Sequence, residues 1–464
     1  MFDELRERLK DLVDHHGAQP AAAAPDTSGR IVREVTDPQF LHDQLQAVQR
    51  AAAARDGGNQ LSAGAYQAAF DALEQAQATH PAGEPVMPKD ATASIFQSVL
   101  STCIESRADK LIEDLPEGLR RIAHAVLSLE NVFREFGPCD PLWMETKVAE
   151  GIAALTGRPP FPNAPAPPLP LAKDARVIVV GDWGTGLPGA TAVAERMQEQ
   201  IEDGRGREQH VVHLGDVYYS GWREEYETRF LPHWPVAPGE EEVLSWALNG
   251  NHDMYSGGHG YFGFLLHDHR FRGHWLPGGN GQHTTSSHFS LENEHWQLLG
   301  VDSAYRDHDL DGNQAQWVGA KLATGRKTML MSHHQPFSGY EAVSQAMVHT
   351  LTPALGGRVI DAWIWGHEHR CMVYGPQQTP GAAPSPPAPY LKWGSCIGHG
   401  GVPRLLPDPP LAFPPKPTWV LEEYVQQDGN RWGRFGFAVL DFDGPSLRVR
   451  YIDETGKVNH EESL

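Results

Sequence analysis

The sequence predicts a mixed α/β sandwich over residues 172–464, preceded by an all-α region over residues 1–157. Three observations predict this. Before residue 157, apolar residues recur at helical spacing, Ala is frequent, and Val, Ile and Tyr are sparse. After residue 172, short β-rich runs alternate with helical stretches, and each run ends in a polar cluster. Between the two lies RPPFPNAPAPPLPL, residues 158–171, with seven prolines in fourteen residues.

Each element has its own signal. Phe2, Leu5, Leu9 and Leu12 follow a three-to-four spacing, and similar patterns run through 39–53, 62–78, 94–109 and 118–136. Gly and Pro separate them, as in a bundle of amphipathic helices. Such helices can mediate dimerisation, bind a protein partner or cap the sandwich, and the sequence does not choose among these. The Pro-rich segment can be neither helix nor central strand, so an extended linker is predicted there. Beyond it come RVIVVGD, HVVHLGD, VLSWALNGNHD, WQLLGVDS, KTMLMSHH and VIDAWIWGHEH. Helices are predicted over 189–202 and about 313–323. GRFGFAVLDFDGPSLRVRYIDETG alternates in period two around a Gly-Pro turn and reads as a closing hairpin. Strands alternating with helices, plus a terminal hairpin, give the mixed α/β class.

Composition excludes some functions. The chain carries 38 basic and 59 acidic residues, a net charge of −21. That argues against a nucleic-acid or anionic-membrane binder acting by bulk charge. The four cysteines (Cys103, Cys139, Cys371, Cys396) are widely spaced and form no CxxC pair. They suit a reducing, cytoplasmic setting. MFDELRERLKDLVDHH is charged and lacks the apolar core of a secretory signal. No apolar run approaches the ~20 residues that span a bilayer.

The strand ends carry the chemistry. Asp182 follows VIVVG, Asp216 follows VVHLG, and Asn251 and His252 follow LNG. His333 and His334 follow TMLMS, and His367 and His369 follow IWG. Ligands of open α/β sheets bind outside the carboxyl ends of strands, so these five ends can converge. Imidazole mixed with carboxylate suits Zn, Fe or Mn better than Ca or Mg. So many groups exceed the needs of one tetrahedral zinc and suit two ions sharing a carboxylate. A lone Gly-Asp after a strand is usually a turn former. Five such ends in this order are not explained that way.

The series GDWG (181–184), GDVYY (215–219), GNHD (250–253), SHHQPFS (332–338) and GHEH (366–369) resembles the calcineurin-like metallophosphoesterase superfamily. The resemblance spans roughly 172–460 and implies a metallophosphoesterase-type β-sandwich flanked by helices. Many members have Asp-x-His in the first motif. Here Gly184 offers no ligand, and the motif is closest to purple acid phosphatases, which use a tyrosine three residues after the bridging Asp. The resemblance therefore implies that Asp182, Tyr219 and His369 bind one metal, that Asp216 bridges, and that Asn251, His333 and His367 bind the other. It implies Fe in the first position, paired with Zn, Mn or a second Fe. It makes His252 the group that serves the leaving oxygen, with Asp253 orienting it, and leaves Tyr218 to packing. In SHHQPFS the closing Ser and the His-His-x-Pro pattern favour His333; a simple His-x-Pro reading favours His334, otherwise placed near substrate.

The implied activity is hydrolysis of a small phosphorylated substrate by a metal-bound hydroxide, as a phosphomonoesterase. A phosphodiesterase, of a cyclic nucleotide or other diester, is the rival within the superfamily. A non-catalytic metal-bound scaffold is the rival outside it. Other signals are weaker. Asp307–Gly312 mimics the start of an EF-hand loop, but its twelfth position is Val318 rather than Glu. His259, His267, His269, His274 and His283 read as surface-loop residues. His399, in GSCIGHGG, is a possible phosphate contact, because the glycines permit close backbone approach. Trp183 is expected to pack beneath the site.

Overall fold

The computed structural model describes residues 157–464 apart from 278–282, 377–390, 407, 409 and 428–429, together with Ala149 and Ala153. The predicted helical region 1–157, and the roles considered for it, otherwise lie outside the described residues.

Two sheets form the frame. The first contains β1 (Arg176–Val180), β2 (Gln209–His213) and β3 (Val243–Ala247), which are parallel. The second contains β4 (Phe289–Glu292), β5 (Trp296–Gly300), β6 (Lys327–Ser332), β7 (Ala362–Trp365), β8 (Cys371–Tyr374) and β9 (Gly394–Ile397). Strands β5, β6, β7 and β9 run parallel in that order. The closing hairpin is β10 (Gly436–Asp443) with β11 (Ser446–Asp453), and β12 (Val458–Ser463) extends it. The hairpin joins β1 antiparallel, giving a six-stranded sheet ordered β12-β11-β10-β1-β2-β3.

Strand alternation builds three apolar layers. Val177 and Val179 face inward with Val212, Leu298, Met329, Met331 and Ile364, filling the space between the sheets. Ile178 and Val180 face outward and pack under α1 (Pro188–Asp203) through Val193, Ala194 and Met197. On the far side, Leu330, Trp363 and Trp365 pack under α2 (Gln314–Leu322) and α3 (Ala346–Leu355). The order is helix, sheet, sheet, helix. Strands buried on both faces read as continuous apolar runs, and that is how RVIVV and KTMLM read.

The Pro-rich segment is extended and packed. Leu169–Pro170 pairs in parallel with the edge strand β4, with Leu169 opposite Leu291. Ala166 and Leu171 are buried in the inter-sheet core, and Phe161 stacks on His288. A proline is tolerated at such an edge because no further strand needs its missing N–H. His274, expected in a surface loop, is instead fully buried. It lies against Trp246 of β3. Among the described residues, no helix is long and apolar enough to cross a membrane.

Candidate metal centre

The parallel strands of both sheets deliver their carboxyl ends to one place. Among the described residues, five non-glycine residues have φ in the left-handed region: Asp182 (55°), Asp216 (74°), His308 (57°), His367 (69°) and His369 (49°). For residues with a Cβ this conformation is strained, and it is found where a side chain must be aimed. Four of the five are predicted ligands.

Their side chains meet. His333 Nε2 lies 3.0 Å from Asn251 Oδ1, 3.2 Å from His367 Nδ1 and 3.4 Å from Asp216 Oδ2. His369 Nε2 lies 3.5 Å from Asp182 Oδ1. Two groups of ligand atoms, Asp182–Asp216–His369 and Asp216–His333–His367, each fall within 4.8 Å, and Asp216 belongs to both. Of the two adjacent histidines, His333 faces this centre. His334 sits behind it, with its Nδ1 3.1 Å from Ser303 Oγ.

The tyrosine assignment is corrected. The hydroxyl among the ligands is that of Tyr218, 3.0 Å from Asp182 Oδ1, 3.1 Å from Asp216 Oδ2 and 3.0 Å from His369 Nε2. The ring of Tyr219 instead lies under the Arg229 guanidinium at 5.2 Å, and its N–H donates to Glu225. The physical reason is local. Side-chain alternation holds along a strand, but β2 ends at His213, and Gly215 (φ 112°) and Asp216 then turn the chain. The spacing carried over by resemblance, three residues after the bridging Asp, therefore points to a different tyrosine from the one this loop brings to the ligands. A side chain at position 184 would meet Val217, with which Gly184 forms a parallel bridge.

Asp253 is corrected as well. Its carboxylate does not orient His252. It accepts N–H bonds from Asp216 (2.8 Å), Val217 (3.2 Å) and Gly250 (2.6 Å), and the Tyr226 hydroxyl. Burial raises its pKa to about 6 against these hydrogen bonds. His252 is held by a backbone oxygen: its Nδ1 lies 2.7 Å from the Tyr219 carbonyl. That contact makes Nδ1 the donor, so in the neutral ring Nε2 is the nitrogen without a proton. His252 Nε2 is 4.0 Å from Asp216 Oδ2, and its side chain is 13% exposed. His252 N also donates to Asp216 Oδ1 at 2.9 Å. Glu225, which carried no signal in the sequence, is a second such anchor: it accepts from the N–H groups of Tyr219, Ser220 and Trp222.

Two glycines let the carboxylates approach. A Cβ on Gly250 would lie 2.0 Å from Asp216 Oδ1, and one on Gly366 would lie 2.7 Å from Asp182 Oδ2. His399 is not brought to the centre; its Nε2 packs at Gly436, beside β11, and burial lowers its pKa to about 3. Trp183 packs on Phe230 and Trp234 and donates to the Ala190 carbonyl.

The electrostatics fit cations. Asp182 and Asp216 are buried, and among the described residues neither is paired with a Lys or Arg. Burial, then Asp182 and Asp253, raise the Asp216 pKa well above the usual carboxylate range. Burial also raises the Tyr218 phenol, with both carboxylates adding to it. Buried carboxylates without a counter-charge are costly unless protonated or bound to metal. The donors are two mixed groups sharing the Asp216 carboxylate, one with a second carboxylate and one imidazole and the other with two imidazoles, with an amide oxygen and a phenol beside them. Metals of the Zn, Fe and Mn type suit this donor set.

Residues 175–371 match the family described as calcineurin-like phosphoesterase. Among solved structures, the chain is similar to GAP50, the anchor in the inner membrane complex of Plasmodium, at 13% identity. That match covers 63% of this chain and 88% of the other, with a TM-score of 0.43. It is also similar to the purple acid phosphatase PPD1 from yellow lupin seeds, at 15% identity, covering 65% and 54% of the two chains, with a TM-score of 0.42. A third match is to PhoD, at 10% identity, covering 65% and 69%, with a TM-score of 0.40. No curated protein matches the chain.

Proposed function

Because residues 175–371 carry a calcineurin-like phosphoesterase domain, we propose that the protein is a two-metal hydrolase of phosphate esters, with phosphomonoesters as substrates. The observation that carries this reading is the convergence of Asp182, Asp216, Tyr218, Asn251, His333, His367 and His369 next to a partly exposed His252. Asp182, Tyr218 and His369 would hold one ion, Asn251, His333 and His367 the other, and Asp216 both. Two ions there would polarise phosphoryl oxygens and lower the pKa of a bound water toward ~7. Iron in the position beside Tyr218, with Zn, Mn or iron in the other, is part of the proposal.

The remaining work falls to the chain. The Tyr219 carbonyl fixes the His252 ring through Nδ1, and Nε2 lies 4.0 Å from Asp216 Oδ2, beside the centre. When protonated, Nε2 donates to the leaving oxygen of the ester; when neutral, it accepts a hydrogen bond. Asn251 is fixed in the same manner: its Nδ2 donates to Tyr255 Oη at 2.7 Å, which turns its amide oxygen toward His333. Tyr255 packs edge-on against His252 at 4.7 Å, so one tyrosine braces both residues. A reducing, cytoplasmic setting is proposed with this reading, consistent with the free, buried thiols Cys371 and Cys396.

The test pairs activity with metal content. His252→Ala is expected to lose about 10²–10⁴-fold in kcat on a chromogenic monoester, with the metal content unchanged. Unchanged activity would remove His252 from the mechanism. Faster turnover of a chromogenic diester than of the monoester would replace the phosphomonoesterase reading with a phosphodiesterase.

A further inference from the structure

His308 is the fifth of the left-handed residues, and the two-metal centre leaves it unused. It sits on the loop after β5, the strand next to β6 in the sheet. It therefore reaches the same edge as the ligands by the same route. Its ring lies against that of His334 with centroids 3.8 Å apart and planes tilted by 38°, and it meets His367 edge-on at 5.4 Å. His334 and His367 lie 4.8 Å apart. One ligand-type atom from each of the three falls within 4.8 Å of the others.

The outer nitrogens are already engaged in the way that suits metal-binding imidazoles. A ligating histidine usually donates its other ring N–H to an oxygen, which fixes the tautomer. His308 Nδ1 lies 2.9 Å from Asp307 Oδ1. His334 Nδ1 lies 3.1 Å from Ser303 Oγ. Both rings are thus set to present Nε2. His334 is fully buried, and its Nε2 has no hydrogen-bond partner among the described residues. Leaving such a group unpaired costs about 1–3 kcal/mol, so a ligand is expected.

The nearby charge decides which ligand. Asp307 Oδ1 is 3.6 Å from His334 Nε2 as well as 2.9 Å from His308. A carboxylate at this range repels a phosphate and attracts a cation. We infer that His308 and His334, beside His367, form a third metal position, for zinc or a similar borderline dication, adjoining the two-metal centre. Two nitrogens on one tetrahedral zinc lie about 3.3 Å apart, given Zn–N distances of about 2.0–2.1 Å. Ring rotation of roughly an ångström therefore closes the set. Neither the family resemblance nor the two-ion reading calls for this ion, and His308 and His334 lie outside that centre; His367, already assigned to the pair, would serve both ions only by giving up its ring proton to solvent and bridging as an imidazolate.

The test is zinc stoichiometry of the full chain, measured by mass spectrometry after zinc loading and desalting. The wild type is expected to retain three equivalents and His308→Ala two. The His308 side chain is 26% exposed, so the substitution should leave the fold intact. His334→Gln should also retain two. Asp216→Asn separates this site from the two-metal reading, because it should deplete the pair and keep one equivalent that His308→Ala then removes. A wild type that retains only two equivalents, or a His308→Ala protein that still retains three, overturns the third position and leaves the two-metal proposal intact.

Discussion

The two sheets contribute unlike halves to one centre. The six-stranded sheet supplies oxygen: Asp182 after β1, Asp216 and Tyr218 after β2, Asn251 after β3. The other supplies nitrogen: His333 after β6, His367 and His369 after β7. They are held differently. On the oxygen side, Asp253 and Glu225 each gather three backbone N–H groups of the loops that carry the ligands. On the nitrogen side the ligands follow their strands directly. His333 Nδ1 donates to the Leu214 carbonyl at 3.1 Å, and Glu368 accepts from Trp365 Nε1 and the Ser338 hydroxyl. Short turns leave a sheet without extra support. A longer loop that leaves the ladder needs its N–H groups satisfied elsewhere, and a buried carboxylate does this with strong, charge-assisted bonds.

Removing one anchor from each half is the sharpest way to break this comparison. Asp253→Ala strands three buried N–H groups at once. At about 1–3 kcal/mol each, it should cost at least ~3 kcal/mol in urea-unfolding free energy. Asp253→Asn keeps an acceptor and should cost less. Glu368→Ala strands one indole N–H and one hydroxyl, and it also relieves a carboxyl whose pKa burial has raised to about 7. It should cost less than Asp253→Ala. Equal losses would mean that the two halves are not supported differently.

The same division governs what the sequence shows. The sandwich and its hairpin are legible because apolar runs, alternation and a Gly-Pro turn are local signals. The ligands are legible because each lies within a few residues of a strand end. The errors cluster on the oxygen side, where the loop leaves the ladder. The spacing implied by the resemblance pointed to Tyr219, whereas the chain, turning at Gly215 and Asp216, brings the Tyr218 hydroxyl to the ligands. Asp253, next to His252 in sequence, was given a catalytic task, yet its partners lie 36 and 37 residues back, at Val217 and Asp216. Glu225 could not be found in the sequence at all, since nothing marks a glutamate that will cap a distant loop. His308 was hidden by the Asp and Gly residues around it, which mimic the start of an EF-hand loop and drew the reading to calcium rather than to the imidazole.

The tyrosine pair tests the oxygen side at its metal. Tyr218→Phe removes the hydroxyl that lies about 3 Å from Asp182, Asp216 and His369. It should weaken binding of the first ion by at least the ~10–100-fold typical of losing an outer-shell partner of a ligand. If that ion is ferric, the visible absorption should disappear. Tyr219→Phe should retain both the metal and the colour. If Tyr219→Phe alone bleaches the protein, the structural assignment of Tyr218 is wrong and the sequence expectation is restored.

The smallest effect lies beneath the oxygen half. His274 accepts the N–H of Ala247, the last residue of β3, at Nε2 (3.0 Å), and lies 2.7 Å from the Ser286 carbonyl through Nδ1. This geometry requires the neutral ring, with the proton on Nδ1. Burial lowers the His274 pKa to about 4, against the hydrogen bond to Ser286, which raises it. The folded pKa is below the unfolded value near 6.5, so between those values the unfolded chain takes a proton that the native one refuses. Stability is therefore complete above about pH 6.5 and falls as pH drops toward 4, by at most ~1.4 kcal/mol per unit from this residue. His274→Gln should cost some stability at neutral pH and flatten that acid limb in urea titrations across pH 7 to 4. It should not abolish the limb, because buried His213 and His288, at about 3 and about 4, contribute slopes of the same sign. An acid limb unchanged in His274→Gln would mean that the β3 end does not depend on a neutral imidazole.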